Sequence, residues 1–107
     1  MTDLVLVFTT MPDDHRADAL ARTLVEERLA ACVSVHAAMC SHYRWQGQLT
    51  SDPERQVVIK TARERLPALE ARLRALHPYD LPEFLVLSAE SGSAEYLRWV
   101  ADAVGPA

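Results

Sequence analysis

Six polar or aromatic side chains fall where strands are expected to end: Tyr43, Trp45, Lys60, His77, Tyr79 and Glu83. Gathered in one cleft, such a set could anchor a small anion or carboxylate, ligate a metal, or supply a general base. Each also has an ordinary structural reading. Lys60 follows the apolar run Val57–Ile59, either as a lysine snorkelling at a strand end or as an anchor facing a pocket. His77 precedes Pro78, which restricts its backbone and so orients its ring; it is a structural hydrogen-bonding residue or a metal ligand. Tyr43 and Trp45 alternate onto one strand face, where core packing or a subunit contact would explain them equally well.

Copper or zinc would be served by imidazole and thiolate donors, and the chain has four histidines (His15, His36, His42, His77) with two cysteines, Cys32 and Cys40. None stands at the spacing of a closed four-ligand site. Strand parity puts His36 with Cys40, and Cys40 with His42, on one face, so a surface site remains open. Cys32 lies among Ala30, Ala31 and Val33, an apolar setting that raises a thiol pKa and leaves it inert. The two thiols are eight positions apart on one expected strand, roughly 26 Å at about 3.3 Å per residue, too far for a disulfide. No activated nucleophile is legible. The adjacent pairs Asp13-Asp14 and Glu26-Glu27 suit capping and a solvated helix. With only Gly47, Gly92 and Gly105 available, neither a dinucleotide fingerprint nor a phosphate loop can be written.

The elements that must position these residues follow from periodicity. Asp3–Thr10 reads as a strand through its run Leu4–Phe8, ended by Pro12 with Asp13 or Asp14 as helix cap. His15–Ala30 has apolar residues at helical spacing: Ala17, Leu20, Ala21, Leu24, Val25 and Leu29. Cys32–Trp45 is a long strand, Gln46-Gly47 a turn, and Glu54–Thr61 the returning strand after a break at Asp52-Pro53, which together form a long hairpin with an irregular tip. A helix over Glu64–Leu76 accepts Pro67 in its first turn and turns Leu66, Leu69, Leu73 and Leu76 inward. The connector His77–Pro82 is stiffened by two prolines. A strand over Glu83–Ala89 and a helix over Ala94–Val104, capped by Ser93 and turning Tyr96, Leu97 and Val100 inward, close the chain.

The order β-α-β-β-α-β-α predicts an α+β, ferredoxin-like split β-α-β sandwich, two helices on one face of an antiparallel sheet. One domain over residues 1–107 fits the length. Hairpin strands this long leave unpaired edges, so an oligomer is expected. The 107 residues carry a formal charge of -4, with 50% apolar and 24% charged residues. That profile is globular, and it argues against a nucleic-acid partner, which would want a basic face. Arg63, Arg65, Arg72 and Arg74 alternate with Glu64 and Glu70 as on a solvated helix. The short run Leu4–Phe8 lacks the basic flank of a signal peptide, and no segment is long enough to span a membrane. The cytoplasm is the expected compartment.

Several segments in order also resemble the CutA divalent-cation-tolerance family. They are Thr10-Met11-Pro12, Leu29-Ala30-Ala31-Cys32-Val33, Ser41-His42-Tyr43-Arg44-Trp45-Gln46-Gly47, Glu54, Lys60-Thr61, His77-Pro78-Tyr79-Asp80-Leu81-Pro82-Glu83, and Gly92 with Tyr96-Leu97-Arg98-Trp99. The resemblance implies a tight homotrimer similar in architecture to the PII signalling proteins. Its inter-subunit clefts would be lined by Tyr43, Trp45, Lys60, His77, Tyr79 and Glu83. It implies a non-catalytic role in the response to copper or another divalent cation. Of the copper ligands used by some members, a Cys at the end of the first strand is here Thr9. The His-His pair before Pro-Tyr is here Leu76-His77. His77 and the commonly shared Cys32 are therefore the residues the resemblance offers to a metal. Where the family often has Pro-Gly this chain has Ala37-Ala38, which predicts loss of a kink in the long strand, and Thr50 stands for the usual Glu. The other functions to weigh are a PII-like sensor taking a small anion through Lys60 and His77, and a small hydrolase using His77 or Glu83 as general base.

Overall fold

A computed structural model describes residues 1–106. Its elements are β1 (Leu4–Pro12), α1 (His15–Glu26), β2 (Cys32–Trp45), β3 (Gln48–Ala62), a single 3-10 turn (Arg63–Arg65), α2 (Leu66–Leu76), β4 (Leu85–Ser88) and α3 (Ala94–Ala103). The strands form one sheet in the order β2-β3-β1-β4, every neighbouring pair antiparallel. This is the expected α+β, ferredoxin-like arrangement.

Alternation along the central strands makes the core. Val5, Val7 and Met11 of β1 and Val57 and Ile59 of β3 meet Ala17, Leu20 and Leu24 of α1 and Leu69 and Leu73 of α2, all buried. Val25, placed on the apolar stripe by spacing, is exposed, as are Leu76 and Tyr96. The opposite sheet face carries α3 at one end, where Val100 and Val104 are buried. Ser93 Oγ accepts the Tyr96 amide at 3.3 Å and caps that helix. Among the described residues no helix is long and apolar enough to cross a membrane.

Several boundaries differ from the sequence expectation. Helix α1 stops at Glu26, not Ala30, because Arg28 takes a left-handed φ of 60° and the Leu29 and Ala30 amides both return to the Leu24 carbonyl. That reversal drops Leu29 into the core. Its strain is offset where the Arg28 guanidinium donates to the carbonyls of Gly105 (2.8 Å) and Asp102 (3.0 Å). Strand β1 continues through Pro12, paired with Glu54. Strand β4 is shorter than expected, only Leu85–Ser88.

The break expected at Asp52-Pro53 is absent: β3 runs unbroken from Gln48 to Ala62. Just past Glu54 it loses β1 as a neighbour, and a residue without an N–H is tolerated on such an open side. The hairpin tip is regular as well. Gln46 (φ 50°) and Gly47 (φ 78°) both occupy the left-handed region that two-residue hairpin turns of type I′ require. The irregularity lies lower in the arm. Val35 opposes Val57 but Ala38 opposes Arg55, so His36 and Ala37 together face Gln56 in a β-bulge. The kink expected to vanish with Ala37-Ala38 is therefore present. Arg55 Nε donates to the freed His36 carbonyl at 2.8 Å, which secures the bulge without proline or glycine.

Truncating the fully buried Leu69 to alanine should cost about 2–5 kcal/mol, whereas Val25→Ala should change stability by less than about 0.5 kcal/mol. Urea denaturation of the two variants checks the core assignment. Equal losses would overturn it.

Candidate functional site

The sheet face away from α1 and α2 bears an open cleft of about 1010 Å³. Residues two apart on a strand share a face, so β2 contributes Met39, Ser41, Tyr43 and Trp45, and β3 contributes Asp52, Glu54 and Gln56. The floor is Thr10 and Pro12 at the end of β1, with Asp13 and Asp14. The connector Pro78–Glu83 forms the far wall.

His77 holds that wall. Its ring is buried, and Nε2 lies 2.8 Å from the Thr10 carbonyl, which can only accept. Nε2 therefore carries the proton, and Nδ1 accepts the Tyr79 amide at 3.1 Å. Burial lowers the His77 pKa from its ordinary 6.5, against the opposing pull of the Thr10 carbonyl and of Glu54. The Tyr79 ring leans on His77 with centroids 4.8 Å apart, and its hydroxyl donates to Glu54 Oε2 at 2.7 Å. Burial, then the bond to Glu54, push the Tyr79 phenol well above its usual range. Tyr43 donates to Asp52, and that bond raises its phenol pKa too. Gln56 donates to the Thr9 carbonyl at 2.7 Å and to Glu83 at 3.3 Å. At the rim Arg16 grips Asp14, holding its carboxyl at about 2.

Tyr43, Trp45, Tyr79 and Glu83 thus meet in one cleft, with His77 just behind it. Lys60 does not join them. It lies on the same face but pairs with Leu6, two same-face steps beyond Gln56, roughly 13 Å away, and its ammonium sits 5.7 Å from the Tyr96 ring on α3. Cys32, opposite Lys60, is half-buried and equally remote from His77. Among the described residues no three His, Cys, Asp or Glu side chains converge to hold a metal ion. Both nitrogens of His77 are committed, which denies a metal a lone pair there and denies a reaction its general base.

The lining includes six carboxylates, Asp13, Asp14, Asp52, Glu54, Asp80 and Glu83, and no Lys or Arg. Lys60 lies outside this lining, so one subunit's cleft offers an anion no lysine or arginine of its own. Sequence reasoning passed over Asp52, Glu54 and Gln56. Their alternation would have exposed them had Asp52-Pro53 not read as a break.

A family profile described as CutA1 divalent ion tolerance protein matches residues 5–103. The chain belongs to this family. Relatives named divalent-cation tolerance protein CutA include one from Thermus thermophilus, 42% identical over 105 residues, covering 98% of this chain and 100% of the relative. Another, from Pectobacterium atrosepticum, is 42% identical over 100 residues, 94% of this chain and 91% of the relative. The crystal structure of CutA from Xylella fastidiosa superposes with a TM-score of 0.94 at 42% identity, over 97% of this chain and 100% of that one.

The His77 strut gives this CutA-family chain a pH signature. Its folded-state pKa is depressed, so the unfolded chain takes up the proton first as pH falls. The stabilisation is complete above about 6.5, the ordinary value, and is lost below it, down to the folded value. The urea midpoint should fall between about pH 7.5 and 5.5, and less steeply in His77→Gln. Parallel profiles for the two proteins would refute the strut.

Proposed function

We propose that this chain is a non-catalytic homotrimer that responds to divalent cations such as copper, in the cytoplasm. The observation that carries the assembly is apolar surface left bare in one subunit. Leu85 is 56% exposed and Leu87 43% on edge strand β4, Trp99 is 49% exposed on α3, and Leu49 is 77% exposed near the arm tip. Flat apolar edges of this kind are liabilities unless another chain covers them. The divalent-cation tolerance names of the relatives support the metal role. The occupied nitrogens of His77 support a binding role over hydrolysis. Unpaired Cys32 and Cys40 suit a reducing compartment.

Within this reading, copper finds its donors on the arm. Cys40 and His42 are exposed, two apart on regular β2, and face away from the cleft. Ser51 Oγ meets His42 Nδ1 at 2.8 Å, leaving Nε2 open. A thiolate and an imidazole suit copper or zinc, and a neighbouring arm in the trimer would complete the ligand set. Cys32 and His77 are less suited, the one half-buried and the other fully engaged.

Light scattering should give three times the 11.9 kDa chain mass, and calorimetry on the reduced protein should show saturable copper uptake. Cys40→Ser should weaken that uptake at least tenfold, and His77→Gln should leave it unchanged. A lone 11.9 kDa species would overturn the assembly, and linear, unsaturable heats would overturn the metal role.

A further inference from the structure

His77 is a buried titratable group that neither the assembly nor the copper donors employ. Only 8% exposed, it sits where β1, α2 and the connector meet, and its two ring nitrogens make bonds of opposite sense. Nε2 donates to the Thr10 carbonyl at 2.8 Å, and Nδ1 accepts the Tyr79 amide at 3.1 Å. A neutral imidazole has one donor nitrogen and one acceptor nitrogen, whereas an imidazolium has two donors. The clamp therefore fits the neutral ring alone. A second proton has to go onto Nδ1, where it meets the Tyr79 N–H. Two donors cannot share one hydrogen bond, so the Tyr79 peptide must turn away.

Tyr79 ties the cleft wall to the frame at two further points. Its ring leans on His77 with centroids 4.8 Å apart, and its hydroxyl donates to Glu54 Oε2 at 2.7 Å. Turning its peptide lifts the ring from the imidazole and the hydroxyl from the carboxylate. The segment Pro78–Pro82 belongs to no strand or helix, and its terminal prolines stiffen it so that it moves as a unit. Past it, Glu83 stays tied to the Gln56 amide at 3.3 Å. We propose that His77 is an acid-operated latch: a proton on Nδ1 expels the Tyr79 amide and frees the connector, which opens the cleft. Burial acts most strongly on the ring and disfavours the second proton; the Thr10 carbonyl and Glu54 on β3 favour it, and Arg16 on α1 opposes it. β1 has no charged residue, and on α2 Arg74 faces Glu70. The wall is thus closed at neutral pH and is released below the ordinary histidine value of 6.5. Cys40 and His42 face the other side of the arm, so the latch is independent of copper.

Amide hydrogen exchange tests it, followed by NMR on the intact protein and corrected for the intrinsic rate at each pH. Between about pH 7.5 and 4.5 the Tyr79 amide is expected to lose about tenfold or more of its protection, a local opening inside a folded molecule. The amides of Val7 and Ile59, at the centre of the sheet, should keep theirs. Ring nitrogen signals of His77 should titrate with the same midpoint as the Tyr79 amide. In His77→Gln, whose side chain gains no charge in acid, Tyr79 should be equally protected at both ends of the range. Should that variant misfold by circular dichroism, the shared midpoint in the wild type decides. Tyr79 protection unchanged once the ring has protonated would overturn the latch, as would a ring still neutral at the acid end. So would loss of the sheet amides in parallel, which marks unfolding of the whole molecule, or an acid response that persists in His77→Gln.

Discussion

Strand β3 must satisfy two neighbours of unequal length, and much of the molecule follows from that mismatch. Backbone donors and acceptors need partners when water is excluded. From Lys60 to Glu54 β3 has β1 on one side and β2 on the other; from Pro53 to Gln48 it has β2 alone. The outer stretch becomes a two-stranded arm that stretches the molecule to 45 Å against 26 and 24 Å in the other directions. Two-stranded ribbons are marginal by themselves in water, so an arm carrying exposed Tyr43, Trp45 and Leu49 calls for company. The same mismatch opens the cleft. Where β1 stops at Pro12 its place beside β3 is vacant, and the connector after α2 approaches without completing a strand.

That connector is held by hydrogen bonds in series: Thr10 carbonyl to His77, His77 to the Tyr79 amide, Tyr79 hydroxyl to Glu54. Each link joins a different part of the chain, the end of β1, the end of α2, the connector and β3. Prolines 78 and 82 remove most of the backbone freedom between them. Rigid backbone, buried imidazole and buried carboxylate together make a wall whose shape does not depend on a ligand. Such preorganisation suits binding, since little ordering remains to be done when a ligand arrives.

Helices and central strands were legible because one face of each is buried, and burial imposes a period on the sequence. Val5, Val7, Val57 and Ile59 declare β1 and β3; Leu20, Leu24, Leu69 and Leu73 declare α1 and α2. Legibility failed where tertiary partners override local preference. Arg28 adopts a glycine-like conformation because the end of α3 accepts its guanidinium, a contact from far along the chain. Pro53 sits inside a strand because the neighbour that would want its N–H has already ended. The site was half visible for the same reason. Aromatic and histidine residues stand out by type, so Tyr43, Trp45, His77 and Tyr79 could be named. Glu54 and Asp52 look like ordinary surface acids until the register places them under the connector. Lys60 misled because a charge after an apolar run suggests a pocket, and the ring of Tyr96 met it instead.

The acidity of the cleft is a consequence of where the arginines go. With a net charge of -4 the chain is only mildly acidic, and an even distribution would leave no pronounced field. Arg16 grips Asp14 at the rim, and several other arginines are spent elsewhere, as ties for the frame. Arg72 forks onto Glu27 and joins α2 to α1. Arg63 reaches Ser88 on β4, Arg65 the Val104 carbonyl, and Arg28 the end of α3. Arg55 secures the bulge, on the far side of β3 from the cleft. Planar guanidinium groups with several fixed donors suit this work on carbonyls better than lysine does. With most of these ties in the frame, and phenols and one rim arginine at the cleft, the fold gathers acidic side chains on one concave surface. In a recess bounded by protein that charge is screened less than on an open face. An apolar lining alone would not select the sign of a ligand's charge; this distribution of arginine and tyrosine does.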